Sequence, residues 1–193
     1  FFNVIYTYGL ETAYFRFASK DDKNESTIYN SAVTFILISS ILLSGLLYLF
    51  SSSIANYLEY PDRGYFIQWL AALLALDALV AIPFAKLRIE GKAALFATAK
   101  LINIGLNIGF NLFLISFCRQ VYAGEILPAL KPFVTSFYVP QYGIEYVFIS
   151  NLIANAALIL ILWKQLIIIR LKISWAFLQP MLKYGYPILF TGL

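Results

Sequence analysis

One feature constrains this chain before any other: apolar runs of about 20 residues, separated by short polar turns. At 1.5 Å per helical residue, such a run covers about 30 Å, the thickness of a bilayer's hydrocarbon core. Spans are predicted at about 1–17, 28–50, 66–86, 95–117 and 141–163. In lipid, a spanning segment must satisfy its own backbone, so each run is predicted to be a helix. Composition agrees: 61% of residues are hydrophobic and 12% charged, against about 45–50% and about 25% in soluble domains. The predicted fold class is all-α, a polytopic transmembrane helix bundle. The chain opens on Phe1-Phe2 inside one apolar stretch and closes at Leu193 inside another, so more chain is expected on both sides.

Several chemistries are excluded early. With no histidine, Ser-His-Asp and Cys-His catalysis and histidine metal sites are impossible. A lone cysteine, Cys118, supports no internal disulfide or thiolate cluster and reads as a small apolar residue. The Asp21-Asp22 pair resembles an acidic metal motif, but Lys20 and Lys23 flank it, and a solvated loop is the stronger reading. No glycine-rich phosphate loop is present, so no ATP, cofactor or metal is expected. A net charge of +4 does not call for nucleic acid.

Basic residues set the orientation. Of 14 lysines and arginines, all but Arg63, Arg119 and Lys131 fall on one side when the loops are counted alternately. The positive-inside rule places loops 18–27, 87–94 and 164–183 in the cytoplasm, and loops 51–65 and 118–140 outside. Five crossings fit that alternation.

Within the spans, polar residues form patterns. Asn3, Thr7, Glu11 and Tyr14 share one face of the first span at 100° per residue. Ser26 or Thr27 is a candidate cap for the second, where Ser40, Ser44 and Gly45 offer a small-residue packing surface. Pro83 is expected to kink the third span near its end, where Lys86 marks one interface. In the fourth, Lys100, Asn103, Asn107 and Asn111 fall within an arc of about 80°, and Gly105 and Gly109 form a GxxxG packing face roughly opposite. Asn151 and Asn155 lie one turn apart in the fifth, and Glu145 near its start reads as structural. Residues 164–183 mix basic and apolar positions and are expected to lie along the membrane surface as a linker.

Ionisable residues inside a span are expensive and mark ion or substrate pathways. Asp77, near the middle of the third span, is either a proton or cation coupling site, or a structural partner for a polar residue on another helix. Glu11 has the same two readings. The asparagine stripe Asn103, Asn107, Asn111 either lines a sugar-binding cavity or glues helices together. Among the cytoplasmic cations, Arg16 and Arg88 are the better phosphate candidates, because a guanidinium grips phosphate bidentately. Lys92 is a third, though a topology signal is the commoner role for such lysines.

Four stretches carry a family resemblance: YGLETAYFRFASKD (8–21), IPFAKLRIEGKAALFATAKLINIGLNIGFNLFL (82–114), GIEYVFISNLIAN (143–155) and MLKYGYPILFTGL (181–193). Together they resemble the Wzx-type polysaccharide flippases of the multidrug/oligosaccharidyl-lipid/polysaccharide exporter superfamily. The resemblance implies two helical lobes around a central cavity, with residues 1–163 as most of the N-terminal lobe, 164–183 as the inter-lobe linker and 184–193 as the start of a truncated C-terminal lobe. It implies a flippase rather than an enzyme, in the bacterial inner membrane, turning over a polyprenyl-diphosphate-linked oligosaccharide by alternating access. Proton or sodium coupling and contacts with other polysaccharide-assembly membrane proteins are expected. The rival readings are a cation-coupled small-molecule exporter of the same superfamily and a membrane-embedded polyprenyl-phosphate glycosyltransferase.

Overall fold

The computed structural model describes residues 2–21 and 23–191, with backbone only at 2 and 189–191; Asp22 of the acidic pair lies outside the described residues. The fold is an all-α helix bundle. Among the described residues four helices are long and apolar enough to cross a membrane: Glu25–Leu49, Gly64–Ile89, Ala93–Ala123 and Ile144–Ile161.

The first predicted span is not one helix. It divides into α1 (Phe2–Thr7) and α2 (Leu10–Ala18). Tyr8 and Gly9 both take left-handed φ, 52° and 65°, which ends one helix and starts the next. The break removes the single face expected for Asn3, Thr7, Glu11 and Tyr14, and Tyr14 is fully buried. α3 (Glu25–Leu49) begins ahead of the expected caps, and its cap position is Asn24, which donates to Asp21 Oδ2 at 2.8 Å instead. The expected loop at 51–65 starts as a short helix, α4 (Ser51–Tyr57), and only then turns, with Glu59 and Asp62 left-handed on either side of Pro61.

α5 (Gly64–Ile89) continues through Pro83 and is the central helix. It is apolar all round, as a helix with neighbours on every side should be. Leu74, Ala78, Ile82 and Ala85 pack into a cluster with Leu10, Tyr14, Tyr29 and Val33 of α2 and α3. Val80, Phe84 and Leu87 pack the other way, against Ala99 and Leu158. Those two come from α6 (Ala93–Asn111) and α9 (Ile144–Ile161).

After α6 the chain makes a π-helical turn, Leu112–Phe117, and resumes as α7 (Cys118–Ala123), so this helix outlasts its predicted end at 117. Cys118 is fully buried, as its apolar reading requires. The connection to α9 holds a 3-10 turn, Pro128–Leu130, and α8 (Lys131–Thr135). Gly45, Gly105 and Gly109 have nothing within 4 Å of the position a Cβ would take, so the GxxxG face meets no helix among the described residues, whereas Ser40 and Ser44 of the second span do pack: Ser40 is buried and Ser44 donates to the Ala71 carbonyl on α5 at 3.0 Å. Glu145 is structural: it accepts from Tyr65 Oη at 2.8 Å and from the Gly143 amide at 2.9 Å, joining α9 to α5.

The segment expected as a surface linker is partly helical: α10 (Trp163–Ile167), an irregular stretch, then α11 (Trp175–Thr191), which starts well before Tyr184. Both α10 and the irregular part are strapped to the start of α3. Tyr29 donates to the Gln165 carbonyl at 2.8 Å, and the amides of Arg170 and Ser174 donate to Asn30 Oδ1 and Ser31 Oγ at 2.8 and 2.9 Å.

Candidate functional site

The candidate site is a polar cavity of about 320 Å³, open on one side and lined by α1, α2, α5, α6 and α9. Asn3, Glu11, Asp77, Lys100, Asn103, Asn151 and Asn155 supply its polar wall, and Phe84, Phe96 and Leu158 its apolar wall. The broken first span makes room for it: α1 brings Asn3 to the cavity and α2 brings Glu11. Irregular backbone at membrane depth is tolerated where it borders such a cavity.

Asp77 sits half-buried on the stretch of α5 that faces neither apolar cluster. Asn155 donates to its Oδ1 at 2.9 Å, and Asn103 donates to Asn155 Oδ1 at 3.2 Å. A second rung lies further along: Asn107 donates to Asn151, and Asn111 donates back to Asn107 Oδ1 at 2.8 Å. Positions fall by four on one helix as they rise by four on the other, as antiparallel neighbours require. The two readings of the asparagine stripe therefore divide by residue. Asn107 bonds across to α9, Asn111 bonds only back to Asn107 within its own helix, and neither lines the cavity; Asn103 is both a rung and a wall.

Lys100 is the cation of the cavity. It lies over the Phe84 ring at 4.4 Å to the centroid, and its field acts on Asp77. The helical arc groups Lys100 with the asparagines in sequence, yet its charge alone reads as a topology signal. Asn151 and Asn155 are legible as a pair one turn apart, but not as partners of Asp77. Asn3 and Glu11 do reach the same cavity.

The expected diphosphate ligands lie elsewhere, and each has a partner. Arg88 forms an ion pair with Glu11 across α5 and α2, both side chains about two-fifths exposed. Lys92 pairs with Glu90 at 2.7 Å. Arg16 lies over the Tyr184 ring at 4.3 Å to the centroid and forms no ion pair among the described residues. None of the three lines the cavity.

Beside them is a network that sequence reading missed. Lys86, expected as an interface marker, is only 7% exposed. It donates to Glu25 at 2.9 Å, lies 3.5 Å from Glu90, and sits over the Tyr29 ring at 4.7 Å. Tyr14 donates to the same Glu25 oxygen at 3.1 Å. This cluster ties together the ends of α2, α3 and α5. Burial would raise the Glu90 carboxyl, but Lys92 and Lys86 outweigh it and hold it below the ordinary range. Glu25 and Lys86 are legible as charges near span ends, yet the sequence does not say that those ends meet.

Among the described residues no group of three or more acidic or cysteine side chains is placed to hold a metal. No curated protein and no solved structure matches the chain. A family model does, over residues 1–139, and those residues contain α1 to α8 and every polar residue of the cavity wall except Asn151 and Asn155. A chain with several membrane-length helices around a polar cavity, matched over most of its length, belongs to the polysaccharide biosynthesis protein family.

Proposed function

We propose that this chain forms part of a flippase that moves a polyprenyl-diphosphate-linked oligosaccharide across the bacterial inner membrane by alternating access, with proton or sodium coupling. The observation that carries the reading is the cavity itself: Asp77, Lys100 and asparagine amides gathered between otherwise apolar helices. Side chains this costly in lipid line a pathway by default. Amides donate and accept, which suits sugar hydroxyls. Residues 1–163 act as the N-terminal lobe, residues 164–174 and α11, which runs through Tyr184, lead from it to a second lobe, and loops 18–27 and 87–94 and the segment after α9 face the cytoplasm.

Roles derive from position. Asn103, Asn151 and Asn155 contact sugars, and Lys100 neutralises acidic sugar or phosphate. Asp77 changes protonation or cation occupancy and biases the lobe arrangement through Asn155. At the mouth, a diphosphate competes with Glu11 for Arg88; Arg16 offers a guanidinium, and Lys92 adds charge. The released Glu11 then faces the cavity as a second coupling carboxylate.

One observation favours a second reading. The cavity holds two carboxylates against one ammonium, with Phe84 and Phe96 alongside. That balance suits a small organic cation, as in an exporter of the same superfamily. The test is transbilayer movement of a fluorescent lipid-linked oligosaccharide by the full-length protein in liposomes, read by accessibility to an external glycosidase. Asp77→Asn should cut movement at least tenfold with unchanged expression. Wild-type protein that moves no glycan but extrudes an organic cation down an imposed gradient would replace the flippase with the exporter.

A further inference from the structure

A second cleft lies at the opposite end of the α6 helix, built from Arg119, Tyr122, Tyr138, Gln141 and Tyr142, with a volume of about 390 Å³. A neighbouring cleft of about 540 Å³ shares Arg119 and adds Gln120. Both fall in the range of small-ligand sites.

The π-helical turn at Leu112–Phe117 decides where Arg119 points. In an uninterrupted α-helix, Arg119 would stand about 80° from Asn111 and about 120° from Asn107. One extra residue in the turn rotates the remainder of the helix back by about 100°, which brings Arg119 to within about 20° of both. Arg119 thereby continues the stripe of Lys100, Asn103, Asn107 and Asn111. It shares the cleft with Gln141 and Tyr142 in the turn just before α9, as the antiparallel pairing of Asn107 with Asn151 requires. Lys100 and Arg119 are then about 28 Å apart along the helix, close to one hydrocarbon thickness.

The cleft is rigid at its base and open above. Tyr138 and Tyr146 stack at 5.2 Å with their planes 5° apart, both nearly fully buried. The Tyr146 hydroxyl accepts from the Val139 amide at 2.7 Å and donates to the Val139 carbonyl at 3.1 Å, which fixes the chain entering α9. Tyr122 and Tyr142 lean on that stack at 5.6 and 5.7 Å and remain 37% and 42% exposed. Arg119 is exposed and forms no ion pair among the described residues. Exposed aromatic faces beside a guanidinium and an amide are the chemistry that holds a sugar ring: the rings cover its C–H face, and the polar groups bond its hydroxyls or an acidic substituent. Tyrosines of an interfacial belt would be spread around the helix; these converge on one cleft.

We infer that the Arg119/Tyr122/Tyr142 cleft is a carbohydrate-binding subsite on the outer face, which takes sugar units of the glycan at the far end of the polar stripe; the inference rests on the flippase reading above. The test is saturation-transfer NMR on the full-length protein in phosphatidylcholine nanodiscs. Maltohexaose, triacetylchitotriose and sialyllactose serve as probes, with glycerol 3-phosphate as a headgroup probe. Transfer to at least one sugar is expected, falling at least fivefold in Tyr142→Ala and in Arg119→Gln and unchanged in Lys20→Ala, an exposed position in the loop before α3. Arg119→Gln removes no ion pair seen in the fold, so it remains informative if the tyrosine variant fails to fold. Transfer to no sugar, equal transfer in the variants, or transfer to glycerol 3-phosphate alone would overturn the subsite. The measurement needs no turnover. Glycan movement without sugar contact removes the cleft and keeps the flippase, whereas sugar contact without glycan movement does the reverse.

Discussion

Replacing Gly9 by alanine tests the break in the first span. Gly9 holds φ of 65°, and an added Cβ would stand 2.7 Å from the Gly185 carbonyl oxygen on α11. Gly185 is the reciprocal position, where a Cβ would press on the Tyr8 carbonyl oxygen. Both obstacles are backbone, which does not swing aside as a side chain does. For Gly9→Ala two costs combine: about 1–2 kcal/mol for a left-handed L-residue and about 1–3 kcal/mol for overpacking, together about 2–5 kcal/mol. Gly185 lies within a helix, so Gly185→Ala incurs the overpacking and recovers up to about 1 kcal/mol of helix propensity. Gly105→Ala meets nothing within 4 Å and should be neutral or stabilising by about 0.5–1 kcal/mol.

Denaturant unfolding of the purified protein in detergent, monitored by tryptophan fluorescence, should therefore rank Gly105→Ala at or above wild type, then Gly185→Ala, then Gly9→Ala. The two destabilising changes fill one gap, so the double variant should lose less than their sum. A Gly9→Ala protein within about 0.5 kcal/mol of wild type would refute both the left-handed break and the close contact with α11.

Other consequences concern the charged cluster and the ladder. Lys86→Met leaves Glu25 and Glu90 facing each other without their shared cation and should cost about 3–5 kcal/mol; adding Glu25→Gln should recover part of that loss, and a double variant as unstable as the single would show that the ion pair is not the cause. Glu90 is held below the ordinary carboxylate range, so its contribution is present above the unfolded pKa and is lost as pH falls through the folded one. Stability in detergent should thus decline as pH drops below about 4.3, and Glu90→Gln should flatten that limb; an unaltered pH profile would remove Glu90 from the account. Asn107→Leu loses one interhelical bond and should cost about 0.6 kcal/mol while glycan movement persists, because Asn107 is off the cavity wall; abolished movement in a stable protein would put it back among the contact residues.

How far the sequence can be read depends on whether a property belongs to one helix or to two. Span positions derive from apolar length, which is a property of a single segment, and α3, α5, α6 and α9 lie where the runs predict them. The first span departs from its prediction on the same ground. Its length is adequate, but Tyr8 and Gly9 turn left-handed where Gly185, 176 positions beyond Gly9 along the chain, lets two backbones touch. Apolar periodicity has no term for a partner so distant.

The polar residues divide along the same line. Asp77 stands out alone, because a carboxylate inside an apolar run is anomalous whatever surrounds it. The asparagines do not: an amide on a helix face becomes glue or cavity wall according to the register of its neighbour, and α9 takes up Asn107 while leaving Asn103 at the cavity edge. Arg88 and Lys92 show the converse. In sequence they look like free cations, because Glu11 lies on a different helix and Glu90 in the turn between two. Among the described residues Lys86, Arg88 and Lys92 form ion pairs, and the informative cations are those that share a polar face without one. Lys100 over Phe84 and Arg119 beyond the π-turn are in that position, one at each end of a single polar stripe. A cation without a carboxylate partner, held near a membrane on a face shared with amides, is poised for an anion or a hydroxyl-rich ligand to approach. If glycan movement depends on Lys100 and on Arg119 separately, and each loss leaves stability intact, the stripe between them is the route. If it depends on Lys100 alone, the stripe ends at Asn103, and Asn107 serves only to hold α6 against α9.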